Sequence, residues 1–128
     1  MLPERPIHTT LPVADLGRAR HFYEDVLGFT PVSVNPAAAT YEAGSGTRFI
    51  LFPSSGKASG THTQMGFTVP DIEAEVGELK TRGVSFESYD MPGFDAVTSI
   101  STTGLLRAAW FRDPEGNLIG LVQITEDD

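Results

Sequence analysis

Apolar and polar residues alternate in two short segments of the chain, as expected for strands with one buried face. Leu11 and Val13 share one face of the first segment, and Phe67 and Val69 share one face of the second. The opposite faces carry the other positions, namely His8, Thr10 and Pro12 in the first segment and Gln64, Gly66 and Thr68 in the second. The pattern therefore predicts two half-buried strands.

Each alternating segment leads into a helix signal. Asp15 and Asp71 stand where a carboxylate caps the first helical turn, and Gly28 and Gly83 stand where a left-handed residue ends a helix. Apolar residues recur between them at helical spacing, namely Leu16, Ala19, Phe22, Tyr23, Val26 and Leu27, then Ile72, Val76 and Leu79. Each segment therefore predicts a strand followed by a helix, and the two segments read as copies of one unit.

Further strands follow each helix. They are predicted at 30–34, 39–43 and 47–53 in the first copy and at 84–89, 105–112 and 117–124 in the second, with hairpin turns at EAGSGTR and DPEGN. The expected class is α+β, a single domain spanning 1–128 that contains two tandem βαβββ units. Unit one covers about 6–53, a linker rich in Ser and Gly covers 54–62, and unit two covers about 63–125. Residues 90–104 form a long insertion, which is expected to be a lip or lid over a binding site.

Charge and composition exclude several classes of function. The 128 residues carry a net charge of −8 with only nine Lys and Arg, which argues against nucleic acid and against an anionic membrane surface. The absence of cysteine excludes disulfides and thiolate chemistry. We find no apolar run of the length of a membrane span and no signal peptide, so a cytoplasmic protein is expected. The acidic tail, 126–128, is expected to be a solvated end.

Several motifs together resemble the vicinal oxygen chelate superfamily, which includes glyoxalases, bleomycin-resistance proteins and extradiol dioxygenases. They are V-x-D-L, F-Y-x-x-V-L-G-F, a second V-x-D-I, and D-P-x-G-N, and they span nearly the whole chain. The resemblance implies that the strands of both units curl into cup-like mixed sheets with helices on the outer face. It also implies a ligand in the cup and a homodimer in which each cup uses both subunits.

The resemblance places a metal site at three positions of this chain. Enzymes of the superfamily hold a divalent metal with His, His or Gln, and Glu, and the matching positions here are His8, Gln64 and Gly120. Glycine supplies no ligand and an amide oxygen is a weak one, so no metal cofactor and no catalytic residue are expected. The alternative is a divergent metal-dependent lyase, isomerase or dioxygenase that holds Zn, Ni, Mn or Fe with His8 and Gln64.

Without a metal, the cup is expected to bind a hydrophobic or aromatic small organic molecule, as antibiotic-binding resistance proteins do. Trp110 is the only tryptophan and is expected on the cup wall, where it can stack on a ring. Further wall positions are expected at His8, Phe49, Leu51, Gln64, Leu118, Gly120 and Val122, with Phe94 at the lip beside Tyr89 and Met91. Ordinary packing is the alternative for each side chain, and a sensing or structural dimer is the alternative for the protein. His21 and His62 are expected to be solvated.

Overall fold

A computed structural model describes residues 1–124 of the chain, so the acidic tail lies outside the described residues. The strands are β1 His8–Val13, β2 Pro31–Asn35, β3 Ala38–Glu42, β4 Arg48–Pro53, β5 Met65–Thr68, β6 Phe94–Asp95, β7 Ile100–Thr103, β8 Leu106–Arg112 and β9 Leu118–Ile124. The helices are α1 Leu16–His21, which continues as a π-helical turn at Phe22–Val26, and α2 Ile72–Thr81. Short 3₁₀ turns lie at Leu2–Glu4 and Gly44–Gly46. None of the described helices is long and apolar enough to cross a membrane.

The chain divides into two compact units, and the division falls between Ala58 and Ser59, inside the segment 54–62 that was expected to be a linker. The first unit holds a four-stranded mixed sheet in the order β1-β4-β3-β2. The pair β1 and β4 is parallel, and the other two pairs are antiparallel. The Asp15 carboxylate caps α1 by accepting a hydrogen bond from the backbone amide of Arg18 at 3.1 Å, as predicted.

An aromatic cluster forms the core of the first unit. Tyr23, in the π-helical turn, is fully buried and its ring centroid lies 5.4 Å from that of Phe49. The rings of Phe49 and Tyr41 stack at 5.0 Å. The same helical turn also presents Glu24, whose carboxylate accepts hydrogen bonds from the Tyr41 hydroxyl at 2.8 Å and from Arg20 at 2.7 Å. The helix therefore contributes both the apolar cover of the sheet and a partner for its buried phenol.

The expected position of Phe49 and Leu51 on the open face of the sheet is wrong. Leu51 pairs with Leu11 in the β1–β4 register, and both side chains are fully buried. Phe49 is 2% exposed and lies in the aromatic cluster with Tyr23. Since partners in a register share a face, Phe49 and Leu51 belong to the helix-facing side, and Arg48, Ile50 and Phe52 take the opposite face.

The second unit holds a five-stranded mixed sheet in the order β5-β9-β8-β7-β6. Again the first strand pairs in parallel with the last, β5 with β9, and the other pairs are antiparallel. Asp71 caps α2 through the amide of Ala74 at 3.2 Å. The helix-facing side of the unit is buried by Ile72, Val76, Val84, Ala109, Phe111, Ile119 and Leu121. Two units of mixed sheet and few helices confirm the α+β class.

The predicted strand at 84–89 is wrong, and the insertion at 90–104 is not simply a loop. Residues 84–89 make only an isolated bridge, Phe86 to Phe111. The strands β6 and β7 lie inside the expected insertion instead. β7 pairs with residues 106–108 of β8, whereas Phe86 bridges to Phe111 further along the same strand. β7 and the segment around Phe86 therefore occupy different parts of one edge of β8. Buried Ile100 anchors β7 in the core, which explains why this polar segment joins the sheet.

Candidate ligand pocket

The second unit contains an open cavity of about 240 Å³ on the face of its sheet that lies away from α2. Its walls come from three stretches of chain: the segment before β5, the segment after Phe86, and the strands β8 and β9. The lining residues are Thr61, His62, Thr63, Tyr89, Met91, Trp110 and Leu118. The structure therefore brings Trp110 and Leu118, two of the residues proposed from sequence, into one pocket.

Strand alternation explains why Trp110 faces the cavity. Its neighbours Ala109 and Phe111 are 0% and 1% exposed on the helix-facing side, so Trp110 projects to the other side. Its partner in the register of β8 and β9 is Gly120. The indole Nε1 donates a hydrogen bond to the Thr63 hydroxyl at 3.0 Å, which fixes the orientation of the ring.

Gly120 provides the space that the indole fills. A Cβ at residue 120 would lie 3.5 Å from both Cδ1 and Nε1 of Trp110 and 3.1 Å from the methyl group of Thr63. The first distance is ordinary contact, whereas the second is tighter than side chains normally accept. Any longer side chain at this position would therefore displace Trp110, Thr63 or both.

The segment 59–63 is held across the ends of β8 and β9 by three contacts. The Thr63 hydroxyl accepts from Trp110, and the amide of Gln64 donates to the carbonyl of Leu118 at 2.9 Å. Gly60 has a φ of +72°, and the Arg112 guanidinium occupies the position that a Cβ at Gly60 would take. Glycine adopts this positive φ without strain, and the residues that follow it, Thr61, His62 and Thr63, form one wall of the pocket.

His62 lies on that wall and is held by its own segment. Its Nδ1 lies 3.0 Å from the Ser59 hydroxyl, which also lies 3.0 Å from the Thr61 hydroxyl. The Thr61 amide donates to the same Ser59 oxygen at 3.3 Å. His62 is exposed, as expected from the sequence, but it lines the pocket rather than facing bulk solvent alone.

Aromatic rings also line the cavity. The Tyr89 ring meets Trp110 edge to face, with centroids 5.4 Å apart and planes at 86°. Phe94 also packs against Tyr89, with the two ring centroids 6.0 Å apart. Burial raises the pKa of the Tyr89 hydroxyl, and the nearby Glu87 carboxylate raises it further, so the phenol stays neutral. Phe94 therefore supports the rim rather than lining the cavity.

Sequence reasoning missed Thr61, Thr63 and the pocket role of His62. Thr61 and His62 lie in the expected linker and Thr63 directly follows it, and polar side chains in such a segment are ordinarily expected to be solvated. One local signal was available: a serine three residues before a histidine, with a glycine between them that allows the chain to turn. The remaining proposed residues do not line this cavity. His8 lies on β1 in the first unit, with Phe49 and Leu51 in that unit's core.

The residues at the three family metal positions, His8, Gln64 and Gly120, offer few donors suited to a divalent metal. The position of the third ligand, Gly120, has no side chain, and its Cβ direction is filled by Trp110 and Thr63. The side-chain oxygen of Gln64 is buried and lacks a hydrogen-bond partner among residues 1–124, but an amide oxygen alone is a weak ligand. Within the described part of the chain, no three His, Cys, Asp or Glu residues cluster as a metal site.

Comparison with known proteins covers nearly the whole chain. The family model described as Glyoxalase/Bleomycin resistance protein/Dioxygenase superfamily matches residues 5–121. A virulence protein of Salmonella typhimurium is 28% identical over 130 residues, which covers 96% of this chain and 86% of that protein. The crystal structure of this virulence protein superposes with a TM-score of 0.66 at 27% identity, covering 98% of this chain and all of that one (100%).

Other solved structures share the fold at lower identity. An antibiotic binding protein, TnmS3, from Streptomyces sp. CB03234 has a TM-score of 0.74 and 24% identity, covering 98% of this chain and 99% of that one. A glyoxalase/bleomycin resistance protein/dioxygenase from Alicyclobacillus acidocaldarius has a TM-score of 0.72 and 23% identity, covering 98% and 95%. These likenesses agree with the two-unit architecture of mixed sheets.

Proposed function

We propose that this chain, which belongs to the glyoxalase/bleomycin resistance protein/dioxygenase superfamily, is a metal-free protein that binds a hydrophobic or aromatic small molecule in the Trp110 pocket. The observation that carries the proposal is the fixed indole of Trp110. Its hydrogen bond to Thr63 and its edge contact with Tyr89 hold a flat apolar surface at the wall of a cavity. A ring held in place before the ligand arrives costs little ordering entropy on binding.

The lining of the cavity has the composition of a ligand site. Trp110, Tyr89, Met91 and Leu118 supply an apolar and aromatic surface, and the segment 61–63 supplies a few polar groups on one side. The volume of about 240 Å³ exceeds a cavity of ~150 Å³ that accepts benzene and falls below the ~300 Å³ of sites for drug-sized ligands. The pocket therefore suits a molecule of about two fused rings, or the aromatic end of a larger one.

One structural relative guides the choice of compounds. TnmS3, which shares the fold, is described as an antibiotic binding protein. Antibiotics with fused aromatic rings are therefore suitable compounds for a first screen. We also propose that the protein acts as a cytoplasmic homodimer, in which the partner completes the binding cup. Val32 and Val34, 49% and 43% exposed on the edge strand β2, support self-association, because exposed apolar edges favour pairing.

Intrinsic fluorescence tests the binding proposal directly, since Trp110 is the only tryptophan. We expect fused-ring aromatic compounds to quench or shift its emission in a saturable way. Tyr89→Leu is expected to weaken affinity about tenfold, because it removes an aromatic contact at the pocket. Phe86→Leu, in the same segment but packed against Phe111, is the matched control and is expected to change affinity by less than about twofold. No response to any compound in the panel would contradict the proposal.

Metal analysis tests the metal-free part. Protein purified without chelators is expected to contain no stoichiometric metal, and titration with Zn, Ni, Mn and Fe(II) is expected to give no saturable tight binding. Stoichiometric binding that is lost in His8→Ala and Gln64→Ala would overturn this part and favour the metal-dependent enzyme. Sedimentation equilibrium tests the dimer, and a monomeric mass at high protein concentration would contradict it.

A further inference from the structure

We propose that His62 determines the specificity of the pocket by hydrogen bonding to a hydroxyl group on the edge of an aromatic ligand, so that the ligand class is a phenol. This inference rests on the proposed binding function and narrows it. It is carried by the contacts of the segment 59–63, in which the side chains of Ser59 and His62 form a pair.

The polar atoms of the pocket are not equally available to a ligand. The Thr63 hydroxyl accepts a hydrogen bond from the Trp110 indole, and the Thr61 hydroxyl is paired with Ser59, so each keeps only part of its hydrogen-bonding capacity for a ligand. His62 uses only Nδ1 in its contact with Ser59. Its other ring nitrogen, Nε2, has no hydrogen-bond partner among residues 1–124 and belongs to a side chain that lines the cavity. A ligand with a polar group at this side of the pocket therefore meets Nε2 of His62.

The Ser59 hydroxyl leaves the direction of that hydrogen bond open. If Ser59 donates to Nδ1, the proton of the neutral imidazole is on Nε2, which then donates to a ligand. If Ser59 accepts from Nδ1 and donates to Thr61, Nε2 is an acceptor. A phenolic hydroxyl both donates and accepts, so it satisfies either tautomer. An ether or ketone oxygen only accepts, so it satisfies only the tautomer in which Nε2 carries the proton. This asymmetry identifies a hydroxyl as the complementary group.

The segment is also set before the ligand arrives. Gly60 allows the chain to turn over Arg112, and Thr63 is tied to Trp110, so the residues on both sides of His62 are anchored to the sheet. A hydrogen bond from a fixed group discriminates between ligands better than one from a mobile group, because less ordering entropy is lost. Trp110 orients the ring of the ligand, and His62 forms a hydrogen bond with the hydroxyl group on its edge.

Three probes that share the naphthalene ring separate the contribution of the ring from that of hydrogen bonding: 2-naphthol, 2-methoxynaphthalene and naphthalene. Their binding is measured by equilibrium dialysis with detection of ligand absorbance. For the native protein we expect 2-naphthol to bind about tenfold tighter than naphthalene with either tautomer, as one directed hydrogen bond in a fixed site allows. 2-Methoxynaphthalene follows 2-naphthol if Nε2 donates and follows naphthalene if Nε2 accepts. We expect the difference between 2-naphthol and naphthalene to fall below about twofold in His62→Leu and to return in part in His62→Gln, whose amide both donates and accepts.

His21→Leu is the matched control. His21 lies on α1 with its Nδ1 2.6 Å from the Asp25 carboxylate, and it does not line the pocket, so the preference for 2-naphthol is expected to persist. Circular dichroism of each variant verifies that the fold is retained; His62 is exposed, so its replacement leaves the core unchanged. Equal preference in the native protein and in His62→Leu, with all three probes bound, would overturn the role of His62 and leave the binding function standing. Failure of the native protein to bind any probe would overturn both.

Discussion

Trp110 and Gly120 are partners in the β8–β9 register, and a Cβ at residue 120 would lie 3.5 Å from the indole Nε1. The resemblance to the superfamily enzymes implies their third metal ligand at this position, and here the Trp110 ring of the neighbouring strand lies beside it. The position of the Trp110 ring thus depends on the absence of a side chain at Gly120. The indole takes the space that a side chain at residue 120 would need.

Enlarging Gly120 should therefore disturb Trp110. Gly120→Leu is expected to push the indole away from Thr63, to shift the tryptophan emission to longer wavelength, and to lower the free energy of unfolding by about 1–3 kcal/mol. Gly66→Leu is the matched control, because Gly66 is the β5 partner of Gly120 and a Cβ there meets only a carbonyl oxygen at 3.8 Å. Identical emission spectra for the native protein and Gly120→Leu would show that the indole does not lie over residue 120.

The hydrogen bond between Trp110 and Thr63 should contribute to stability. Thr63→Val keeps the shape of the side chain but removes the acceptor, and we expect it to lower the free energy of unfolding by about 1 kcal/mol. Urea denaturation followed by circular dichroism measures this change. Thr63→Ser retains the hydroxyl and is expected to lie closer to the native protein; the reverse order of the two variants would refute the role of this bond.

Gly60 should tolerate a side chain poorly. Its positive φ and the position of the Arg112 guanidinium predict that Gly60→Ala lowers the free energy of unfolding by about 1–2 kcal/mol and weakens binding of aromatic ligands. Gly44→Ala is the control, because a Cβ at Gly44 meets nothing within 4 Å. Thermal and urea denaturation compare the two variants, and equal losses would rule out a special requirement at Gly60.

Glu24 should make stability depend on acid pH. The hydrogen bond from Arg20 lowers the pKa of Glu24 below its ordinary value of 4.5, and the Tyr41 hydroxyl acts in the same direction. The folded state thus binds this proton less readily than the unfolded state. The stabilisation is present above about pH 4.5 and is lost as the pH falls through the pKa of the folded state. Glu24→Gln is expected to flatten this part of the stability profile, measured by urea denaturation across pH; an unchanged slope would contradict the interaction.

Tyr41 should make the stability of the protein fall at alkaline pH. Burial raises its pKa above the ordinary value of 10.0, and the Glu24 carboxylate raises it further. The stabilisation from the neutral phenol is therefore complete below pH 10 and is lost as the pH rises towards the pKa of the folded state. Tyr41→Phe is expected to lower the free energy of unfolding by about 1 kcal/mol at neutral pH and to remove this alkaline loss. A variant with the same alkaline profile as the native protein would show that Tyr41 is not the titrating group.

The sequence predicted the fold well where apolar and polar residues alternate. Leu11 and Val13 are buried as expected, and so are Ala109 and Phe111. It failed at Phe49 and Leu51, because Phe49-Ile50-Leu51-Phe52 is apolar on both faces and carries no alternation. Only the register with β1 decides which of these side chains face the helix.

The candidate site was predicted only in part for a similar reason. Trp110 and Gly120 are partners in the β8–β9 register, and Trp110 and Leu118 line the same pocket, so the part of the site on the strands was predicted. Thr63 and His62 precede a strand in an irregular segment, and their position depends on contacts with Trp110 and Ser59. Such contacts between a loop and a sheet leave no periodic pattern in the sequence.

The parallel pairing of the first and last strands in each unit has a consequence for synthesis. β1 finds its partner only when Arg48 and the rest of β4 have been made, and β5 waits in the same way for β9. Since such non-local pairings slow folding, each unit is expected to close late and in one step as its last strand leaves the ribosome. The edge of β1 remains open to other nascent chains until then, and its proline and polar face protect it from aggregation during that interval.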